Sequence, residues 1–173
     1  MITQQMLKDA IECARKLLLK HDSELFDRDV CERALSHKFA MYLQQMVEKW
    51  PEKWDVDCEF NRNMKAHGID GQKEVDVIEK YYALRPHLGI ERTTTVFPDV
   101  IIHKRGPGSH NLLVIEMKKS NATKRDIEFD RQYKLPAYIH DIKYRAAAYI
   151  TFEMGDPDCS IEWIKEIDPA EPQ

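Results

Sequence analysis

The stretch Val114-Ile115-Glu116-Met117-Lys118, together with Phe97-Pro98-Asp99-Val100 before it, decides the predicted fold. Residues 94–103 and 112–118 are rich in β-branched and apolar side chains, as buried strands are. Between them, Lys104-Arg105-Gly106-Pro107-Gly108 is a turn sequence. The two segments are therefore predicted to pair as an antiparallel hairpin.

Helices and further strands are predicted on both sides of this hairpin. Apolar residues recur at i, i+3 and i+4 over residues 4–20 and 30–49, which indicates two amphipathic helices. Alternation of polar and apolar residues after them predicts a strand with one buried face. In chain order the predicted elements are helices at 4–20 and 30–49, a strand at 55–62, a short helix at 74–82, the hairpin, a helix at 125–140 limited or kinked by Pro136, and strands at 144–152 and 160–167.

These elements predict an α/β protein in the broad α+β sense, with a central mixed β-sheet flanked by helices. The 173 residues correspond to a single domain. A hydrophobic fraction of 43% excludes the intrinsically disordered and low-complexity classes. No apolar run approaches the length of about 18 residues that spans a bilayer, and the first residues lack a signal-peptide pattern. We therefore expect no membrane partner and a cytoplasmic protein.

Charge and cysteine patterns narrow the classes of function. The net charge of −4 argues against binding a polyanion over the whole surface. Seven acidic residues and one basic residue lie in the acidic C-terminal segment, 153–173, so the rest of the chain is slightly positive. A polyanion site must then be a local basic surface. The four cysteines show no CxxC spacing, so we expect reduced, buried thiols and no structural zinc.

Two charged side chains interrupt the apolar strand at 112–118. Residues i and i+2 of a strand share a face, so Glu116 and Lys118 are predicted to project together, beside Leu112 and Val114. Buried strands rarely carry two charges unless these are paired or bind a metal. The hairpin brings the Asp99 carboxylate beside Glu116, and a divalent cation relieves the repulsion between two carboxylates. Oxygen ligands favour magnesium or manganese, and an adjacent lysine can act on a water, so this set of groups suits phosphodiester hydrolysis.

The pattern Pro98-Asp99…Glu116-x-Lys118 resembles the motif of the PD-(D/E)XK nuclease superfamily, which has the restriction-endonuclease-like fold. The similarity covers about residues 29–152, in the order helix, three strands, helix and strand. The resemblance implies that Asp99 and Glu116 bind Mg²⁺, with Mn²⁺ as an alternative, and that Lys118 serves the attacking water. It also implies a catalytic role for Glu32, on the helix before the first strand, and nucleic acid as substrate, with DNA expected.

Two parts of the chain depart from this core. Residues 63–92 make a longer connection than the family core needs. They are interpreted as an insertion that faces substrate or forms an oligomer contact. The acidic C-terminal segment lies outside the motif and would repel DNA. Many proteins of this fold are dimers, so the resemblance suggests a homodimer, although no periodic feature of the sequence indicates one.

A basic run follows the Glu-x-Lys strand. Lys119, Lys124 and Arg125, with Lys134 on the following helix, are predicted to contact backbone phosphates. A solvent-exposed face is the alternative for the run. For Lys134 the alternative is an i, i+4 ion pair with Asp130.

Structural roles compete with the catalytic ones. Asp99 follows a proline and could start a strand, and Glu116 with Lys118 could form the exposed face of an edge strand. Glu32 lies three residues after Asp29, a spacing that also fits a helix capping box. At the level of function, the nuclease competes with a non-catalytic nucleic-acid-binding or assembly subunit of the same fold. A third hypothesis is an unrelated α+β protein in which Asp99 and Glu116 lie far apart.

Overall fold

The computed structural model describes residues 2–27, 30–60, 62–64, 70–72, 74–76, 93–95, 97–105, 110–154 and 158–168. The helices are α1 (Gln4–His21), α2 (Glu24–Asp27), α3 (Glu32–Val47) and α4, which joins Lys124–Phe129, a π-helical turn Asp130–Lys134 and Leu135–His140. The strands are β1 (Asp55–Cys58), β2 (Arg62–Met64), β3 (Asp70–Gln72), β4 (Glu74–Asp76), β5 (Thr93–Thr95), β6 (Val100–His103), β7 (Asn111–Lys119), β8 (Ala146–Glu153) and β9 (Asp158–Lys165).

A five-stranded mixed sheet with the order β1-β6-β7-β8-β9 forms the centre of the fold. Neighbouring strands are antiparallel except β7 and β8, which are parallel. Parallel neighbours need a crossover connection, and α4 supplies it. The predicted mixed sheet flanked by helices is thus confirmed. Among the described helices none is long and apolar enough to cross a membrane.

Apolar residues cover both faces of this sheet. On one face, α1 and α3 pack through residues such as Leu7 and Phe39 against Ile115 of β7. On the other face, α4 packs through Leu135 and Tyr138. Successive residues of a strand point to opposite faces, so a strand buried on both sides is apolar almost throughout. A charged residue inside β7 is therefore held in a low-dielectric layer.

A β-bulge in β7 decides which face carries the charged residues. Ile102 pairs with Leu113 and His103 pairs with Asn111, which leaves Leu112 without a partner in the ladder. The extra residue reverses the alternation, so Leu112 and Leu113 both pack on the α1–α3 side. The prediction that Leu112 shares a face with Glu116 is therefore wrong. Val114, in contrast, packs on the α4 side, as does the Glu116 side chain.

The helix predicted at 125–140 is confirmed as α4. The Thr123 hydroxyl caps it by accepting the N–H of Asp126. Pro136 falls in the first turn of the last segment, where its missing N–H costs little, and the helix continues to His140. Just before it, the π-helical turn brings an extra residue into one turn.

Three predictions around the hairpin are wrong in part. Glu74–Asp76, predicted as the start of a helix, is strand β4 and pairs with β5; short segments carry too little periodicity to separate the two states. The rest of that helix, and the loop through Pro86 and Gly89, lie outside the described residues. The strand predicted at 94–103 is divided between β5 and β6, because Pro98 has no N–H for a ladder. The strand predicted at 55–62 ends at Cys58, since Glu59 has a positive φ of 49°.

An ion-pair network joins β1 to β6 at the end of the sheet remote from Asp99. The buried His103 ring contacts the Asp57 carboxylate at 2.7 Å, and Arg105 binds the same carboxylate. Burial opposes ionisation of Asp57, yet its bonds to His103 and Arg105 lower its pKa to about 2. His103 thus makes a local hydrogen bond. All four cysteines are free, as predicted, but only Cys159 is buried; Cys13 and Cys58 are half-buried and Cys31 is exposed.

Candidate active site

The hairpin places Asp99 beside Glu116 at one end of β7. Val100 lies opposite Ile115, so Asp99, one residue before β6, lies across from Glu116. Side chains in such positions have Cβ atoms about 4.5–5.5 Å apart. The Asp99 carboxylate accepts the N–H of Met117 at 2.7 Å, which fixes it against the Glu-x-Lys segment. The structure therefore places Asp99 against the Glu-x-Lys segment, close enough for its charge to raise the pKa of Glu116.

Glu116 is fully buried. Its Oε2 accepts a 2.7 Å hydrogen bond from Lys134 Nζ, while its Oε1 accepts none from the described residues. Burial raises the pKa of Glu116 well above its usual value, the Asp99 charge adds to the rise, and the Lys134 ammonium opposes it. A second positive charge at Oε1 would stabilise the ionised carboxylate.

Lys118 lies between two carboxylates. Its Nζ is 3.3 Å from Glu32 Oε2 and 3.3 Å from Asp130 Oδ2, and it donates to the Met117 carbonyl oxygen at 3.3 Å. Burial alone would lower the pKa of Lys118, but the surrounding carboxylates, Asp130 foremost, raise it above its usual value. The side chain is therefore an ammonium at neutral pH.

Glu32 reaches the site from the first turn of α3. Besides its contact with Lys118, its Oε1 accepts the backbone N–H of Lys119 at 3.2 Å. The helix N-cap is Cys31, which makes no side-chain capping bond. Because Cys31 is the N-cap, Glu32 is the first residue of the helix and not the third, so the capping-box alternative is wrong, and the Glu32 carboxylate is directed to β7.

Asp130 also belongs to this group of charged side chains around β7, although the sequence analysis did not place it there. The pair Asp130–Lys134 was considered as a surface ion pair, and the two charges are 4.0 Å apart. Both side chains also reach β7, since Asp130 contacts Lys118 and Lys134 contacts Glu116. Burial raises the pKa of Asp130, whereas the two lysines oppose the rise. One signal in the sequence could have indicated this position. Asp130 is an acidic residue on the helix that follows the Glu-x-Lys strand, one turn before a lysine.

The charges of this cluster do not balance. If all of its groups are ionised, the carboxylates outnumber the ammonium groups four to two. Excess negative charge in a partly buried site raises carboxylate pKa values and attracts cations. The members are the carboxylates of Glu32, Asp99, Glu116 and Asp130 and the ammonium groups of Lys118 and Lys134.

The residues predicted to contact phosphates fall into two groups. Lys124, at the start of α4, is 90% exposed, and Arg125 beside it is exposed as well. Lys119 is half-buried at the end of β7. Lys134 is different, because its ammonium lies inside the cluster and not on the outer surface of α4. A phosphate could meet Lys134 only within the site.

A cavity of about 190 Å³ lies next to Asp99, on the side of α3 and β1. Its volume corresponds to several water molecules. One wall carries Arg33, which forms a 2.7 Å ion pair with Glu59. The lining residues are Arg33, Ser36, His37, Cys58, Glu59 and Asp99. The cavity gives the Asp99 side of the cluster room for water or part of a ligand.

Without divalent cations, the free energy of unfolding is expected to fall as the pH rises from 5 to 8. Folding raises the pKa of Glu116, so this group's stabilising contribution is complete below about 4.5, the value in the unfolded chain, and is lost as the pH rises through the folded value. Urea unfolding in EDTA at several pH values measures the slope. In Glu116→Gln the free energy of unfolding should fall less steeply with pH. The pH dependence that remains is expected from Asp130. An identical slope in both proteins would show that Glu116 ionises normally.

Comparisons with known proteins identify no family. No protein-family model matches the chain, and no curated protein matches it. Among solved structures, a crystal structure of a protein designated SSO0001 is similar at 15% identity and a TM-score of 0.33. That similarity covers 93% of this chain and 66% of SSO0001. At this TM-score it supports no statement on fold or function.

Proposed function

We propose that the chain is a metal-dependent nuclease that hydrolyses phosphodiester bonds in nucleic acid, with DNA as its substrate. The observation that carries the proposal is the convergence of Asp99, Glu116 and Lys118 at one end of the hairpin, with Glu32 beside them. The arrangement follows the order of the PD-(D/E)XK motif, and a restriction-endonuclease-like core is part of the proposal.

The donor set fits Mg²⁺, with Mn²⁺ as a substitute. Glu116 Oε1 is buried and accepts no hydrogen bond from the described residues, and Asp99 is close enough for its charge to act on Glu116. In the part of the chain that the structure describes, no group of three or more His, Cys, Asp or Glu is placed to hold a metal ion. Mg²⁺ usually binds one or two carboxylates and completes its shell with waters and substrate phosphates, so Asp99 and Glu116 are sufficient.

Each side chain has a distinct task in this mechanism. Asp99 and Glu116 would hold the ion, and the chemistry that Mg²⁺ supplies when bound is a lowered pKa for water and compensation of charge on the phosphate. Lys118 keeps its proton at neutral pH, so its Nζ orients the attacking water and stabilises negative charge on the phosphate; it does not accept the proton. Glu32 and Asp130 hold that Nζ in place.

A non-catalytic nucleic-acid-binding or assembly subunit is the second candidate function. It is favoured by the Lys134–Glu116 ion pair, which neutralises the buried carboxylate without a metal. A binding subunit needs no affinity for Mg²⁺ at Asp99 and Glu116. Metal binding by the free protein therefore separates the two functions.

Mg²⁺ is expected to raise the Tm of the wild-type protein, because a ligand that binds only the native state stabilises it. At a concentration of 100 times Kd the gain is about 2.7 kcal/mol. Asp99→Ala should remove the shift by deleting one ligand. Thermal unfolding with MgCl₂ or EDTA measures it, and Asp9→Ala on α1 is the matched control, for which the shift should persist. A shift that survives in Asp99→Ala would place the ion elsewhere.

A further inference from the structure

Lys134 already binds one carboxylate oxygen of the proposed metal site. Its Nζ donates to Glu116 Oε2 at 2.7 Å, and its side chain is only 19% exposed. Lys134 is the last residue of the π-helical turn of α4, and its side chain reaches Glu116 of β7 although the same helix has an exposed side. The Lys134 ammonium group thus lies at the position where the proposed metal ion would bind.

A divalent cation and this ammonium compete for the same carboxylate. Two positive charges a few ångströms apart repel strongly in a buried site, since the interaction grows as the local dielectric constant falls. The structure also provides a second position for the ammonium, because Asp130 Oδ1 lies 4.0 Å from Lys134 Nζ, one turn back on the same helix. A lysine side chain is long enough to exchange between these two carboxylates.

We infer that Lys134 is the resident counter-cation of Glu116 and that its ammonium leaves this carboxylate when a divalent cation binds. The inference rests on the proposed function, since it concerns the same carboxylates. It assigns Lys134 a role in setting the affinity for the metal, in addition to the phosphate contact predicted from the sequence. Removal of the competing charge should therefore tighten metal binding, whereas loss of a merely structural lysine would weaken it.

Calorimetric titration of the substrate-free protein with MgCl₂ at pH 8.5 tests this inference. Lys134→Met should bind Mg²⁺ about tenfold more tightly than the wild type, a size typical of coupling between neighbouring sites. Lys16→Met is the matched control, because Lys16 is an exposed lysine of α1 that pairs with Glu12, away from the site, and its Kd should equal that of the wild type. Lys134→Gln provides the same test if the methionine variant does not fold, since glutamine still donates a hydrogen bond to Glu116 but carries no charge.

The possible results separate this inference from the proposed function. Tighter binding in Lys134→Met or Lys134→Gln, with no change in Lys16→Met, supports the role of Lys134 as counter-cation of Glu116. Equal or weaker binding in both Lys134 variants overturns it and leaves the nuclease proposal standing, because the wild type still binds the ion. If none of the four proteins binds Mg²⁺, the metal site and the inference both fail.

A second readout follows the ammonium itself. Once displaced from Glu116, Lys134 should become more accessible to an amine-acylating reagent. Labelling followed by peptide mass spectrometry should show that MgCl₂ increases modification of Lys134 several-fold relative to Lys124. Unchanged labelling of Lys134 at saturating Mg²⁺ would mean that the ammonium stays on Glu116, which contradicts the inference.

Discussion

Replacement of Lys118 by methionine is expected to lower the rate of nucleic-acid cleavage by at least about 10²-fold, the lower end for loss of a positioned electrostatic or acid–base group. Methionine keeps most of the length and the apolar stem of lysine, so folding should be retained. The Mg²⁺-induced rise in Tm should also persist, because Asp99 and Glu116 are unchanged. Phosphate binding should change little, since Lys119, Lys124 and Arg125 remain.

The measurement for Lys118→Met is single-turnover cleavage in Mg²⁺, with DNA affinity measured in parallel. Lys16→Met is the matched control, because Lys16 is an exposed lysine of α1 that pairs with Glu12, away from the cluster. Its rate should equal that of the wild type. Equal cleavage by Lys118→Met and the wild type would show that Lys118 has no role in the chemical step.

Replacement of Glu116 by glutamine is expected to reduce cleavage by about 10²–10³-fold, as for the loss of a group that positions transition-state charge compensation. Glutamine retains the size of glutamate but not the negative charge that holds the ion. This variant should be no less stable than the wild type at pH 8 without metal, because the ionised carboxylate is disfavoured in the folded protein. Loss of cleavage could then not be ascribed to unfolding.

Glu128→Gln is the matched control for this substitution, since Glu128 is an exposed glutamate of α4 near Lys124. We expect normal cleavage and a normal Mg²⁺ shift from it. The account of Glu116 would be wrong if Glu116→Gln lost stability and activity together while its affinity for Mg²⁺ stayed unchanged.

The sequence predicted the sheet and its hairpin because the residues of β6 and β7 are apolar and lie on either side of a turn sequence. It did not predict the bulge at Leu112, since an extra residue in a ladder depends on the pairing between strands and leaves no signal in the alternation of one strand. It misassigned β4 because three residues fit a strand and a helix equally well. Tertiary pairing with β5 decides that segment.

The candidate site was predicted in part for similar reasons. Glu116 and Lys118 share a face of β7 by period-two geometry, and Asp99 directly precedes the neighbouring strand β6, so these residues could be brought together without knowledge of the rest of the fold. The inward position of Asp130 and Lys134, at the two ends of the π-helical turn, is set by how α4 packs against β7. An i, i+4 spacing alone indicates a surface ion pair, and only the packing turns that pair toward the strand.

The central claim is hydrolysis of nucleic acid, and a cleavage assay with the wild-type protein tests it most directly. A panel of duplex, single-stranded and branched DNA and of RNA is incubated with MgCl₂, MnCl₂ or EDTA, with Glu116→Gln alongside. The account predicts cleavage of at least one DNA form by the wild type with either ion, no cleavage in EDTA, and a loss of at least about 10²-fold in Glu116→Gln. Binding of DNA without cleavage of any substrate would contradict the nuclease proposal and favour the non-catalytic subunit.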